Sequence, residues 1–363
     1  MEKTRTAWFT AMALALTLVI ILGSMVMASC GAREQDQQNA PQADSATPSS
    51  PGASTAQGTV AALSPDAAVY TTFYPTTYFA ERIAGGLVRV VCPLPAEEDP
   101  IFWQPSREAL SAYQKAALIV VNGAEFEQWV RTASLPMSRV VDSAGGFASE
   151  FVTYETVTHS HGAKGSHTHE GVDGHTWVDP LNAVRQADAI RVAMGRRWPE
   201  HVRTFDENFR GLKSDLESLD AALREVSPGL ARATLMASHP AYNYLAKRYR
   251  WTIENFAFEP DEPLTPEQVG EVASYVKSSG DGAVPPQSKV MLWEGDPLAG
   301  NVEALQALGV VSVVFTPVES LSEADRAAGR DYLTLMRENV ERLRAGLASG
   351  IGSGVGSGAA SDD

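Results

Sequence analysis

Short apolar runs rich in β-branched residues alternate with helical stretches in two separate parts of this chain, and a long helical pattern lies between them. Residues 68–73, 87–92 and 117–121 read as strands, with helices expected over 75–84 and 106–116. The pattern returns with strands at 233–237, 289–293 and 311–315. Strands at this spacing with helices between them indicate βαβ units, and so parallel sheets. The expected fold class is α/β, with two lobes, each a parallel sheet flanked by helices, joined by a long spine helix.

The spine is expected over about 180–226. Asp179-Pro180 has the form of an N-cap followed by proline at the first helical position, and Ser227-Pro228-Gly229 reads as the stop. Ile190, Met194, Phe205, Phe209, Leu212, Leu216, Leu219 and Leu223 recur at mainly three- and four-residue intervals and form one apolar stripe. Arg196-Arg197-Trp198-Pro199 is expected to break or kink it.

The ends of the chain are of another kind. Lys3 and Arg5 precede an apolar run that ends in Met27-Ala28-Ser29-Cys30, the pattern of an export signal. It resembles a bacterial lipoprotein signal over 1–30, with Cys30 as the lipidated residue and Met27 in place of the usual leucine. An uncleaved anchor is the alternative, and either form tethers the body outside the cytoplasm. Residues 31–66 and 349–363 are Ser-, Gly- and Ala-rich with few large apolar residues, so a disordered tether and a disordered tail are expected. The remainder divides into an N-terminal lobe, 67–178, the linking helix, 179–227, and a C-terminal lobe, 228–348. Apart from Cys30 only Cys92 remains, so no internal disulfide and no cysteine-rich zinc module can form. The net charge of −15 excludes nucleic acid as a partner, because a polyanion needs a basic surface.

Five of the seven histidines fall within seventeen residues: His159, His161, His167, His169 and His175. Imidazole is the commonest protein ligand for zinc and similar ions, so this density points to metal chemistry. The first four sit among Gly, Ser, Thr and Lys, which suits a surface loop over 159–175 that holds metal loosely or is simply solvated. His175 differs, because Thr176-Trp177-Val178-Asp179-Pro180 follows it directly.

Four segments, taken in order, resemble a known family: the metal-binding solute-binding lipoproteins of ABC importers for zinc and manganese, of cluster A-I. Asp99-Pro100-Ile101-Phe102-Trp103-Gln104-Pro105 is similar to its first ligand loop, and Asn122-Gly123-Ala124-Glu125-Phe126-Glu127-Gln128-Trp129 to the segment that follows. His175-Thr176-Trp177-Val178-Asp179-Pro180 and Ser238-His239-Pro240-Ala241-Tyr242 resemble its second and third ligand motifs. Two departures stand out. Ile101 occupies the place of the family's first histidine, and Thr316 the place of a carboxylate before the proline of the final strand. The resemblance therefore carries over only His175 and His239 as ligands. Two imidazoles fall short of the roughly four donors that zinc takes, so acids nearby must complete the site. Glu98 and Glu294 are the expected oxygen ligands, with Glu259, Asp99 and Asp179 as further ligands or supports. The aromatic residues Phe102, Trp103, Trp177, Tyr242, Tyr244 and Trp293 are expected to pack around them.

The resemblance implies an extracytoplasmic, lipid-anchored, monomeric receptor that captures Zn2+, or alternatively Mn2+, and passes it to a membrane permease. Imidazole donors favour zinc over manganese. Affinity is expected to fall below about pH 6, near the ordinary histidine pKa. A secreted zinc hydrolase is an alternative, although the chain lacks a His-Glu-x-x-His motif. An adhesin-like surface protein is another.

Overall fold

The computed structural model describes residues 67–96, 98–160, 166–280 and 288–352. The signal, Cys30, the tether and His161 lie outside the described residues.

Two four-stranded sheets, both parallel throughout, carry the structure. The first contains β1 (Ala68–Thr71), β2 (Arg89–Val91), β3 (Leu118–Val121) and β4 (Val140–Asp142), in the order β2-β1-β3-β4. Helices α1 (Tyr74–Ala84) and α2 (Arg107–Lys115) make its crossovers. The second contains β7 (Thr234–Ala237), β8 (Ile253–Asn255), β9 (Lys289–Trp293) and β10 (Val310–Val314), in the order β10-β9-β7-β8. Helices α5 (Asn243–Tyr249), α6 (Pro266–Gly280) and α7 (Ala299–Gln306) connect them, and α8 (Glu323–Ala327) and α9 (Tyr332–Gly352) follow. Read by order of appearance, both sheets run second-first-third-fourth. In each lobe the chain thus reverses direction between its first and third strands, and open α/β sheets bind ligands outside the carboxyl ends of such strands.

The strands β1, β3 and β7 are buried along their whole length, which is why they read as continuous apolar runs. β4 and β8 escaped the sequence reading because each is three residues long and only partly buried.

The linking segment breaks at the stretch where a break or kink was expected, and the break makes two helices of it rather than one spine. It comprises α3 (Pro180–Arg197) and α4 (Val202–Leu230), separated at Trp198-Pro199 where proline breaks the hydrogen-bond ladder. α3 packs against α4, with Arg191 Nη1 2.6 Å from Asp206 Oδ1 across the turn. Asp179 caps α3 by accepting from the Leu181 and Asn182 amides. α4 is the actual spine. Near its start Asn208 donates to the Ile83 carbonyl at 3.0 Å and Asp215 pairs with Arg82 at 2.7 Å, while Glu225 pairs with Arg344 on α9 at 2.7 Å. The helix passes through the expected stop and ends at Leu230, with Pro228 inside its last turn.

One continuous apolar core runs through both lobes and these helices, from Val69, Phe73 and Phe79 through Leu212, Leu216 and Leu223 to Leu235, Leu292 and Phe315. Each such side chain contributes about 1.5–3 kcal/mol on burial. Lobes sharing a core are not free to swing widely.

The histidine-rich stretch is also more regular than expected. β5 (Thr153–Ser160) and β6 (Ser166–Val172) form an antiparallel hairpin in which His159 lies opposite His167. His169 is on the same strand as His167, so three of the four residues expected in a loop lie on strands. Backbone pairing supplies the order that composition did not suggest. At the other end, α9 continues to Gly352, past the expected start of the tail. Among the described residues no helix is long and apolar enough to cross a membrane.

Candidate metal centre

His239 follows β7 and Glu294 follows β9, so both emerge from the carboxyl ends of the two strands that flank the reversal point of the second sheet. The amide of Ser238 donates to the Leu292 carbonyl at 2.8 Å, which extends the ladder and aligns the two exits. His239 Nδ1 lies 3.8 Å from Glu294 Oε2. His175 arrives from the other side, on the turn between β6 and α3, and its ring centre is 5.6 Å from that of His239. Both imidazoles are buried, with 1% and 7% of their surface exposed.

Glu319 joins them. Its Oε1 is 3.1 Å from His175 Nε2, and both it and Glu294 keep about a quarter of the side chain open to solvent. Burial first, then the charges of Glu294 and Glu319, push the Tyr242 hydroxyl well up from its ordinary value, so both carboxylates act on one tyrosine. Two imidazoles and two carboxylates meet at one mouth, and once the imidazoles are deprotonated the set's charge balances that of a divalent cation.

His175 is held from behind. Asp173, fully buried, accepts from the His175 amide at 2.9 Å and contacts Nδ1 at 2.8 Å. A carboxylate on Nδ1 fixes the proton there and turns the Nε2 lone pair outward, the usual support for a metal-binding histidine. Asn243 Nδ2, from the C-terminal lobe, donates to Asp173 Oδ2 at 3.0 Å. His175 Nε2 is a buried atom without a hydrogen bond, although Glu319 is within ion-pair reach. Two donors about 2.0–2.1 Å from a tetrahedral zinc stand roughly 3.3 Å apart. The His175–Glu319 separation of 3.1 Å is close to that spacing, as well as within reach of an ion pair in the protonated state. Burial opposes protonation of His175, but Asp173 and Glu319 outweigh it and carry the imidazole up to about 10. Among the described residues no three His, Cys, Asp or Glu donors already stand in full metal-holding geometry, so closing on an ion needs side-chain adjustment.

The segment 315–319 that carries Glu319 is fixed by hydrogen bonds from distant side chains. Tyr242 donates to the Phe315 carbonyl at 2.7 Å and Trp177 Nε1 to the Pro317 carbonyl at 2.8 Å. Asn339 holds Thr316 through both its amide, at 3.2 Å, and its carbonyl, at 2.8 Å. Thr316 is thus structural, and the carboxylate comes three positions later, after a left-handed Val318 with φ +60°.

The other expected site residues are placed as follows. Glu98 is exposed and, among the described residues, makes no ion pair with either imidazole. Asp99 accepts from the Ile101 amide at 2.8 Å and shapes its own loop. Ile101 packs against the main core, so the place of the family's first histidine is apolar. Asp179 caps α3 and pairs with Arg248, so its oxygens are engaged in structural contacts. Glu259 is half-buried, directly after Phe258, whose amide donates to Ser238 at 2.9 Å, so its loop runs beside His239. Trp177 and Phe126 pack on His175, with ring centres 5.4 and 6.2 Å away. Sequence reasoning missed Asp173 and Glu319. The Asp-x-His spacing and an acid just beyond Pro317 were the available signals.

Lobes of matching topology, with candidate donors beyond the carboxyl ends of the second sheet's strands, define a two-lobed α/β protein of the class whose ligands bind at such strand ends. The chain belongs to the periplasmic family "zinc-uptake complex component A", whose model matches residues 69–346. It is 27% identical over 282 residues to the zinc-binding lipoprotein AdcA of Streptococcus pneumoniae (strain ATCC BAA-255 / R6), covering 76% of this chain and 55% of that protein. It is 24% identical over 284 residues to the high-affinity zinc uptake system protein ZnuA of Bacillus subtilis (strain 168), covering 77% and 87%. The chain therefore spans little more than half the length of the streptococcal relatives. Among solved structures, the Zn(II)-bound ZnuA-like domain of S. pneumoniae AdcA superposes with a TM-score of 0.63 at 26% identity, covering 77% of this chain and 98% of that one. The lipoprotein YcdH of B. subtilis shares the fold, with a TM-score of 0.64 at 22% identity over 76% of this chain and 97% of that one. The family is named for a component of a zinc-uptake complex, not for a hydrolase.

Proposed function

We propose that this protein is the extracytoplasmic receptor of an ABC importer and that it captures Zn2+ between His175, His239, Glu319 and Glu294. The observation that carries this reading is the convergence of two buried imidazoles, one with an unsatisfied Nε2, on two carboxylates at the sheet ends. Glu319 supplies the carboxylate that Thr316 lacks, and Glu294 supplies a donor where Ile101 leaves none. Asp173 keeps His175 in the ligating tautomer, and Glu259 stands in reserve beside His239. The names of the AdcA and ZnuA relatives favour zinc as cargo. A permease receives the ion, and lipidation at Cys30 holds the receptor, as a monomer, at the membrane surface.

Two carboxylates make the donor set harder than an all-imidazole site, so manganese is the competitor to include. Calorimetric titration with zinc and with manganese, alongside metal analysis of the purified protein, tests the assignment. One zinc per chain, lost in both His239→Ala and Glu319→Ala, is the expected result. Equal affinity for zinc in the parent and in both variants would remove these residues from the site.

A further inference from the structure

Glu127 is a buried carboxylate that metal capture does not use. It is 4% exposed and, among the described residues, has no cationic partner. Its Oε1 accepts from the Thr72 hydroxyl and from the Asn122 amide at 2.6 Å, and its Oε2 lies 3.4 Å from the Gly123 amide. These amides open a strained turn. Gly123, Ala124 and Glu125 are all left-handed, with φ of +83°, +51° and +61°. Only the first is a glycine, and a Cβ there would sit 1.9 Å from Asp142 Oδ1. Left-handed backbone at two successive non-glycine residues is strained, so something must hold it. Successive amides in a turn form an anion-binding concavity, and Glu127 fills this one from within the chain.

What the turn holds is the His175 loop. Asn122 Nδ2 donates to the Gly174 carbonyl at 2.9 Å, and Asn122 Oδ1 accepts from the Thr176 hydroxyl at 3.1 Å, so one side chain grips both neighbours of His175. Gln186 on α3 donates to the same Asn122 oxygen at 2.8 Å. Phe126, at the end of the turn, packs on Gly174 so closely that a Cβ there would meet its ring at 2.8 Å. We propose that Glu127 is a positioning residue for metal capture: by clamping the left-handed turn at 123–125 it sets Asn122 and Phe126, which hold the His175 ring in its ligating place. Burial pushes the Glu127 carboxyl up to about 7, against the pull of its hydrogen bonds from Thr72 and Asn122. A neutral amide is therefore a tolerable replacement, and the geometry at Oε1 is the part that matters.

This inference rests on the metal-capture reading, and the experiment separates the two. Zinc affinity and the visible absorption spectrum of the Co2+-loaded protein are compared for the parent, Glu127→Ala, Glu127→Gln and Thr176→Val, each checked for folding by circular dichroism. Loss of an outer support typically weakens metal binding 10–100-fold. Glu127→Ala is expected to fall in that range with an altered cobalt spectrum, while Glu127→Gln, which keeps both bonds at Oε1, returns to within about threefold of the parent. Folded Glu127→Ala with parental affinity and spectrum overturns the inference alone. If Glu127→Ala does not fold, Thr176→Val decides, because parental affinity and spectrum there would break the link from Asn122 to His175. A parent protein that binds neither zinc nor cobalt overturns the functional reading and this inference with it.

Discussion

The environment of His175 ties metal capture to proton release. Asp173 and Glu319 hold the imidazole at about 10, so the metal-free site keeps a proton on His175 throughout the neutral range. Zinc must displace that proton, because only neutral imidazole ligates. The sign follows directly. As pH falls from about 10, each unit makes the free site's proton tenfold harder to displace, which is about 1.4 kcal/mol of apparent affinity. At pH 7 roughly one site in 10³ is already deprotonated, given a pKa of about 10. Apparent affinity should therefore climb about 100-fold between pH 6.5 and 8.5. This moves the sequence-based expectation of a fall below about pH 6, which assumed an ordinary histidine. Competition against a chelator of known pH dependence measures the slope, and calorimetry in buffers of different ionisation enthalpy counts the protons. At least one proton per zinc should appear at pH 7.5, where His175, at about 10, is still charged. Glu319→Gln removes one of the two acids raising His175, so its profile should level off at a lower pH. A parent affinity flat from pH 7 to 9, with no buffer-dependent heat, would refute the reasoning.

The remaining predictions concern the ligands, their support and the metal's grip on the fold. Asp173→Asn should bind zinc 10–100-fold more weakly, because the Nδ1 proton loses its carboxylate acceptor; titration against the parent measures it. Stripping zinc with a chelator should lower thermal stability, since saturation at 100 times the dissociation constant adds about 2.7 kcal/mol, and scanning calorimetry with and without metal reads the shift. Without metal, the raised His175 makes the protein more stable near pH 6 than near pH 9, because its contribution is full below the unfolded value and is lost as pH rises through about 10; denaturant titration at the two values checks the order. Leu216→Ala, in the stripe of α4 that joins both lobes, should cost about 2–5 kcal/mol by the same method and leave zinc affinity in the surviving folded protein near the parental value.

The lobes were legible in the sequence because burial on both faces of a parallel sheet writes itself as unbroken apolar runs, and β1, β3, β7 and β9 have that form. His175 and His239 were legible for a different reason: their local motifs resemble those of a known family. Glu294 could be inferred from both, being the acid at the exit of a buried strand. Glu98 failed the same kind of inference because nearness in sequence to Ile101 says nothing of which way a loop turns, and this loop turns its acid to solvent. Glu319 was hidden more deeply. Its reach to His175, 144 positions away in the chain, depends on Val318 adopting a left-handed conformation that a β-branched residue strongly disfavours. No local propensity predicts such a residue. The contacts that hold it are largely remote, Asn339 on Thr316 and Trp177 on Pro317, joined by one local bond in which the Thr316 hydroxyl accepts from the Val318 amide at 3.1 Å. The same arrangement recurs at the left-handed Ala124 and Glu125, held by Glu127 and Thr72 beside the His175 loop. Both strained turns lie against the proposed ligands, and each is held in part by side chains far away in sequence, Asn339 and Trp177 for one and Thr72 for the other. Local rules break at these two turns because tertiary contacts fix them, so part of what defied the sequence reading is what positions the proposed metal site.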